Sequence, residues 1–286
     1  MKPDWLKIKI SRSDEYKELN EIIKTKKLNT VCEEARCPNI YECWNRKTAT
    51  IMILGDTCTR RCGFCSVKTG KPDSVDYDEP NRTADAVKMM NLKHVVITSV
   101  DRDDLRDDYG ASIWALTINK IKEKAPNTTI EVLTPDFRAH QESLDKVFAA
   151  NPHIFSHNIE CVPRISKGVR AQSSWERSIS VLRSSVNKGL NTKTGIMVGL
   201  GETDTEIYDT MDQIHDLGVN IFNIGQYLQP TKDHLPVTRY VKPDTFRQFK
   251  EYGIKLGFSV VESGPLVRSS YHADEQARSH FNYNEL

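Results

Sequence analysis

The chain has 286 residues, and its 40 basic against 39 acidic side chains leave a net charge of +1. That balance supplies no long-range pull toward nucleic acid or an anionic membrane surface. No apolar run approaches the ~20 residues of a membrane span, and the opening MKPDWLKIKISRSDEYKELN has neither the apolar stretch of a signal peptide nor the acid-poor character of a transit peptide. A reducing cytoplasm is the expected location, where clustered cysteines are metal ligands rather than disulfides. The length suits one large domain or two small ones.

In chain order, a polar helix is predicted over 14–27, followed by Cys32, Cys37 and Cys43 in VCEEARCPNIYEC. From residue 48 short β-branched runs alternate with helical patterns. The runs 48–55, 94–100, 128–135, 153–159, 192–199, 219–225 and 257–263 read as strands. Between them 82–91, 111–124, 140–149, 174–188, 203–217 and 243–256 read as amphipathic helices, with Thr203 and Glu206 forming a capping box. Such alternation makes βαβ units and a parallel sheet. The expected class is α/β, a partial or full (β/α) barrel over 48–263 with a doubly wound sheet as the alternative; residues 1–47 and 264–286 form N- and C-terminal extensions. Chemistry is then expected at the C-terminal ends of the strands.

Six of the seven cysteines fall within 34 residues, as two triplets. Cys58, Cys62 and Cys65 have the spacing C-x3-C-x2-C directly after the first barrel strand. Three thiolates on one short loop hold three irons of a 4Fe–4S cubane and leave the fourth open to a small chelate. A zinc knuckle is the plain alternative, but it needs a fourth ligand and the nearest downstream histidine is His94. Cys32, Cys37 and Cys43 follow C-x4-C-x5-C; spacing alone says three thiolates, one short of four. GIMVGLGE (195–202) also reads as an ordinary strand-to-helix turn, and the acidic cluster in TSVDRDDL (98–105) as a helix start.

C-x3-C-x2-C with Phe64 before the last cysteine resembles the radical S-adenosylmethionine (SAM) superfamily. Joined to CEEARCPNIYEC, KPDWLKIKI, TSVDRDDL, TPDFR (134–138), MVGLGET (197–203), GQYLQPT (225–231) and RSSYHAD (268–274), it resembles the lipoyl synthases. That resemblance implies a barrel of the radical SAM type and two 4Fe–4S clusters. Cys58, Cys62 and Cys65 would carry the SAM-binding cluster. Cys32, Cys37, Cys43 and a serine of RSSY, Ser270 or Ser269, would carry an auxiliary cluster that donates sulfur. It also implies SAM contacts at Thr98 and Asp101, at Gly199 and Glu202, and at Arg170 for the methionine carboxylate.

The implied reaction inserts two sulfur atoms, at C6 and C8, into an octanoyl chain on a lysine of a carrier protein. Ferredoxin or flavodoxin would supply electrons and an iron–sulfur carrier protein would rebuild the cluster; no nucleic-acid or membrane partner is implied, and the chain is expected to be a monomer. Arg106 followed by DDYGA departs from the family's D-G-G-A. Cys161 matches no cluster motif and reads as a small buried side chain. His157 reads as a wall residue, since hydrogen abstraction needs no general base. Nucleic-acid methylthiolation within the superfamily, and an electron carrier or zinc-stabilised binding module outside it, are the other readings; neutral charge and the length of the barrel weigh against them.

Overall fold

Where the β-branched runs meet apolar partners they become strands, and two of them, ending at Ile53 and Val198, stop where the backbone turns to positive φ. The computed structural model describes residues 3–7, 13–35, 37–46, 48 and 50–281. Ile8–Ile10 of KPDWLKIKI, Arg36 of the first cysteine segment and Ala49 of the first predicted barrel strand lie outside the described residues. The chain packs as two compact units, one of residues 8–60 and 66–153, the other of 1–7, 61–65 and 154–286. The 48–263 segment is thus shared between the two units, with residues 61–65 and everything from 154 onward in the second.

The first unit begins with α1 (Asp14–Thr25), which Ser13 caps and which buries Leu19, Ile22 and Ile23. The short β1 (Asn29–Thr30) runs into α2 (Val31–Glu34), with Thr30 accepting from the Glu33 amide. α3 (Ile40–Asn45) packs on α1, where Tyr16 stacks on Tyr41 and meets Trp44 at 5.6 and 5.0 Å between ring centroids. β2 (Thr50–Ile53) ends before Leu54 and Gly55, whose φ values are +68° and +90°. Two two-residue strands, β3 (Thr57–Cys58) and β4 (Lys68–Thr69), pair beyond that bend. α4 (Glu79–Met90) starts three residues earlier than the pattern suggested, and its Glu79 carboxylate takes the Leu54 amide at 2.6 Å. β5 (His94–Ser99), α5 (Ala111–Lys124), β6 (Thr129–Leu133) and α6 (Gln141–Ala149) complete the unit. β2, β5 and β6 are parallel neighbours, with β1 antiparallel on β2.

In the second unit β7 (Ile154–Ser156) leads to α7 (Pro163–Val169) and α8 (Trp175–Asn187). Then come β8 (Thr192–Val198), α9 (Asp204–Asp216), β9 (Ile221–Gln226), α10 (Pro243–Leu256) and β10 (Val260–Gly264). β7 to β10 pair in that order, all parallel. The capping box at Thr203 and Glu206 is present. Ile196, Val198, Phe222 and Ile224 of the strands pack against Ile207, Met211 and Ile214 of α9 and Phe246 and Phe249 of α10. Each such side chain removed from water contributes about 1.5–3 kcal/mol. The polar tail is not bare chain: it ends in α11 (Ala273–His280), whose Ala277 packs on Ile154, Ile221 and Val260. Among the described residues no helix is long and apolar enough to cross a membrane.

Candidate functional site

The first triplet is built within the first unit. Cys32 lies in α2 and Cys43 in α3, and Cys37 is tied back by its amide to the Cys32 carbonyl at 3.0 Å. Thr48 grips the Cys43 carbonyl with its amide at 2.9 Å and its hydroxyl at 2.8 Å. Burial pushes the Cys32 thiol up to about 11, and the Cys37 thiolate adds to the rise. Burial raises Cys43 as well, followed by repulsion from Cys32 and Cys37. The three sulfurs are therefore within electrostatic reach of one another, in a place that disfavours bare thiolates and would favour them around a cationic group. The Trp44 indole N–H, buried without a hydrogen-bond partner of ordinary length, eases the Cys32 thiolate from close by.

Cys58 closes β3, and its sulfur accepts from the amides of Arg60 at 3.4 Å and Asp101 at 3.3 Å. Amide donors to a cluster sulfur stabilise the thiolate and tune the cluster potential. The Asp101 carboxylate lies 3.7 Å from the same sulfur. Burial pushes this carboxyl up to about 6, opposed by Arg60 and assisted by Asp136 and Asp103. Thr98 instead turns its hydroxyl to the Leu133 carbonyl of the next strand at 2.9 Å.

Arg60, which nothing in the spacing singled out, organises this corner. Only 4 % exposed, it reaches Asp101 at 3.2 Å, Asp103 at 2.8 Å and Asp136 at 2.7 Å. Arg138 takes the same Asp103 from the other side at 2.5 Å. Removing one partner of a buried ion network strands the rest, at a cost of about 3–5 kcal/mol. Arg60→Met is expected to lose that much in urea unfolding; a loss below about 1 kcal/mol, as for an exposed pair, would contradict a network held by Arg60.

Cys62 and Cys65 belong to the second unit. The Cys65 amide donates to the Cys62 carbonyl at 3.2 Å, and the Gly63 amide to Val169 at 2.9 Å. From the other side Leu235 donates its amide to the Gly63 carbonyl at 2.9 Å, and His234 Nε2 meets the Cys65 carbonyl at 2.9 Å. A Cβ on Gly63 would meet Leu235 Cγ at 2.8 Å, so the loop depends on glycine there. His234 was not singled out by the sequence reading; its role is visible only once the 231–235 turn is placed.

Past β8, Gly199 has φ +97° and no room for a Cβ beside Gln226 and the Arg239 carbonyl. Glu202 turns its carboxylate onto the amides of Gly199 at 2.7 Å and Leu200 at 2.9 Å, with Arg239 3.3 Å away. It shapes the turn rather than reaching outward. Arg170 is buried, with Nη1 on the Asn158 carbonyl at 3.2 Å, Nη2 on Ser178 at 2.8 Å, and Nε unpartnered. A cavity of about 90 Å³ opens beside these strands, lined by Asn158, Glu160, Gly195, Met197, Asn223 and Ser269 among others. Burial raises the Glu160 carboxyl, with Arg170 opposing. Ser269 thus faces this cavity, and Ser270 follows it.

All seven cysteines are thiols. Among the described residues no three His, Cys, Asp or Glu side chains converge on a point for a single ion. A cubane asks for something different, one donor per iron at separate corners. The donor set fits that group: soft sulfur in triplets, amide donors on Cys58, and an indole N–H beside Cys32.

The sequence profile of the Radical SAM superfamily matches residues 52–214, and that of the N-terminal domain of lipoyl synthase of the Radical SAM family matches residues 1–37. A lipoyl synthase of Flavobacterium johnsoniae is 52% identical over 275 residues, covering 96% of this chain and 95% of that one. A mitochondrial lipoyl synthase of Nematostella vectensis is 50% identical, over 96% of this chain and 94% of its own. Among solved structures, Streptococcus suis SuiB bound to S-adenosylmethionine superposes with a TM-score of 0.59 at 10% identity, over 80% of this chain and 55% of SuiB. Methylornithine synthase (PylB) gives 0.52 at 12% identity, over 88% of this chain and 79% of its own. The structural likeness bears out the expected α/β barrel class.

Proposed function

Because the chain belongs to the lipoyl synthase family of radical SAM enzymes, we propose that it inserts sulfur at C6 and C8 of an octanoyl group amide-linked to a lysine of a carrier protein. A 4Fe–4S cluster and SAM come with that membership. Two clusters are the finer reading, and the observation that carries it is the mutual electrostatic coupling of Cys32, Cys37 and Cys43 in a buried setting, with the Trp44 indole beside Cys32.

Cys58, Cys62 and Cys65 would hold the first cluster, and Cys32, Cys37 and Cys43 with Ser270 the second. When bound, these groups supply a carbon-centred radical made from SAM and the sulfur that the substrate receives. The chain's own residues do the rest. The Arg60 and Asp101 amides spread the charge on Cys58, and Arg60 itself locks that loop to Asp101, Asp103 and Asp136. Asn158, Glu160 and Asn223 present acceptors to the cavity, suited to a donor-rich ligand such as the amino and ribose groups of SAM. Gly199 and Glu202 hold the turn that walls the adenine side, and Arg170 offers its unpartnered Nε toward a carboxylate. A serine oxygen is a harder and poorer match for iron than thiolate, which suits a cluster that must give up sulfur.

On this reading the partners are an octanoylated carrier domain, a ferredoxin- or flavodoxin-type reductant and a cluster carrier protein, acting on a monomer in the cytoplasm. Protein reconstituted anaerobically is expected to hold about eight irons and, with dithionite and SAM, to release 5′-deoxyadenosine. Iron for one cluster only, with zinc in the first triplet, would overturn the two-cluster reading.

A further inference from the structure

The tail carrying Ser269 and Ser270 is seated on β9 by Gly225 and Asn223. Gly225 lacks the Cβ that would run into the Val267 carbonyl. Asn223, two residues earlier on the same face of the strand, donates its carboxamide nitrogen to the Ser269 carbonyl at 3.1 Å and reaches the Arg268 carbonyl at 3.5 Å. The Tyr271 amide returns to the Arg268 carbonyl at 2.9 Å and closes a turn over 268–271. Carbonyls of three successive tail residues therefore meet β9, two of them at one side chain. The orientation of that side chain is set by chemistry: facing carbonyls, a carboxamide must present its nitrogen. Its oxygen is left buried and without a partner, beside the equally unpartnered Asn158 Oδ1, and both residues line the cavity.

We propose that Asn223 is the positioning residue for the tail serine: by holding the carbonyls on the near side of the 268–271 turn it presents Ser270 as a ligand, so loss of its donor frees the serine from the iron. The inference rests on the reading of Ser270 as fourth ligand. Asn223 touches no reacting atom and acts only through the turn.

The test uses the full chain with Cys58, Cys62 and Cys65 all replaced by Ala and reconstituted with ⁵⁷Fe, so that only the second cluster forms. In this parent, Mössbauer spectra are expected to show one iron in four with an oxygen-ligated signature, and Ser270→Ala is expected to remove it. Asn223→Asp keeps the shape but cannot donate; Asn223→Leu removes both polar atoms and leaves no orphaned oxygen. Both are expected to lose the oxygen-ligated signature at an iron content still near four per chain, and to speed amide exchange across 268–271 about tenfold. A merely structural asparagine would lower stability and leave the signature in place. An unchanged spectrum in both variants overturns the inference while the serine reading stands. A parent without the signature overturns the serine reading itself, and the two failures are told apart by Ser270→Ala.

Discussion

Cys62→Ala protein is expected to lose SAM cleavage by more than about 100-fold, beyond the 10–100-fold typical of residues one shell out from a metal. The reason is local. Cys62 stands on a loop whose shape is fixed by backbone groups: its carbonyl accepts from Cys65, and Gly63 is pinned through both its amide and its carbonyl. None of these bonds uses the sulfur, so the substitution removes a ligand and leaves the scaffold. Two remaining thiolates cannot retain a cubane with one open iron, and the iron content is expected to fall from about eight to about four. Cleavage at the parent rate with the cysteine gone would mean that the two triplets have been assigned the wrong way round.

Cys37→Ala is expected to do the opposite. Iron again falls by about four, SAM is still cleaved to 5′-deoxyadenosine, and no sulfur reaches the substrate. Of the three cysteines in that pocket Cys37 is the informative choice. Cys32 is buried beside the Trp44 indole, so truncation there would also disturb packing. Cys43 lies within α3 and its loss would be read through the helix. Cys37 is half-buried, and the hydrogen bond from its backbone N–H to the Cys32 carbonyl survives the change. Sulfur addition by Cys37→Ala protein would show that the sulfur comes from elsewhere.

The strands were legible because Val, Ile and Phe in runs leave few other choices, and α5, α8, α9 and α10 because their apolar positions recur at helical spacing. What escaped was what tertiary partners decide. α2 is one turn and has no period to detect, and it exists because Thr30 caps it beside a fully buried Trp44. α11 buries only Ala273, Gln276 and Ala277, so its composition looked like solvated tail. β2 ended early because Glu79, 25 residues on, draws the Leu54 amide out of line. At the site, cysteine spacing announced itself. Arg60 did not, since its carboxylates are up to 76 residues away and a second arginine in TRRC carries no sign of burial. Asn223 was hidden for the same reason: its partners are 45 and 46 residues on, in a segment whose composition promised nothing.

On the proposed function, the chain makes a carbon radical at one thiol triplet and spends the sulfur held at the other on the substrate. The direct measurement is mass spectrometry of an octanoyl-lysine peptide incubated anaerobically with the two-cluster protein, SAM and dithionite. A species with one added sulfur is expected to form first and to be converted to a species with two. At most one doubly sulfurated product is expected per chain without cluster renewal, together with two 5′-deoxyadenosine. Release of 5′-deoxyadenosine with a peptide that gains no sulfur, or sulfur gained equally by Cys37→Ala protein, would contradict the proposed function.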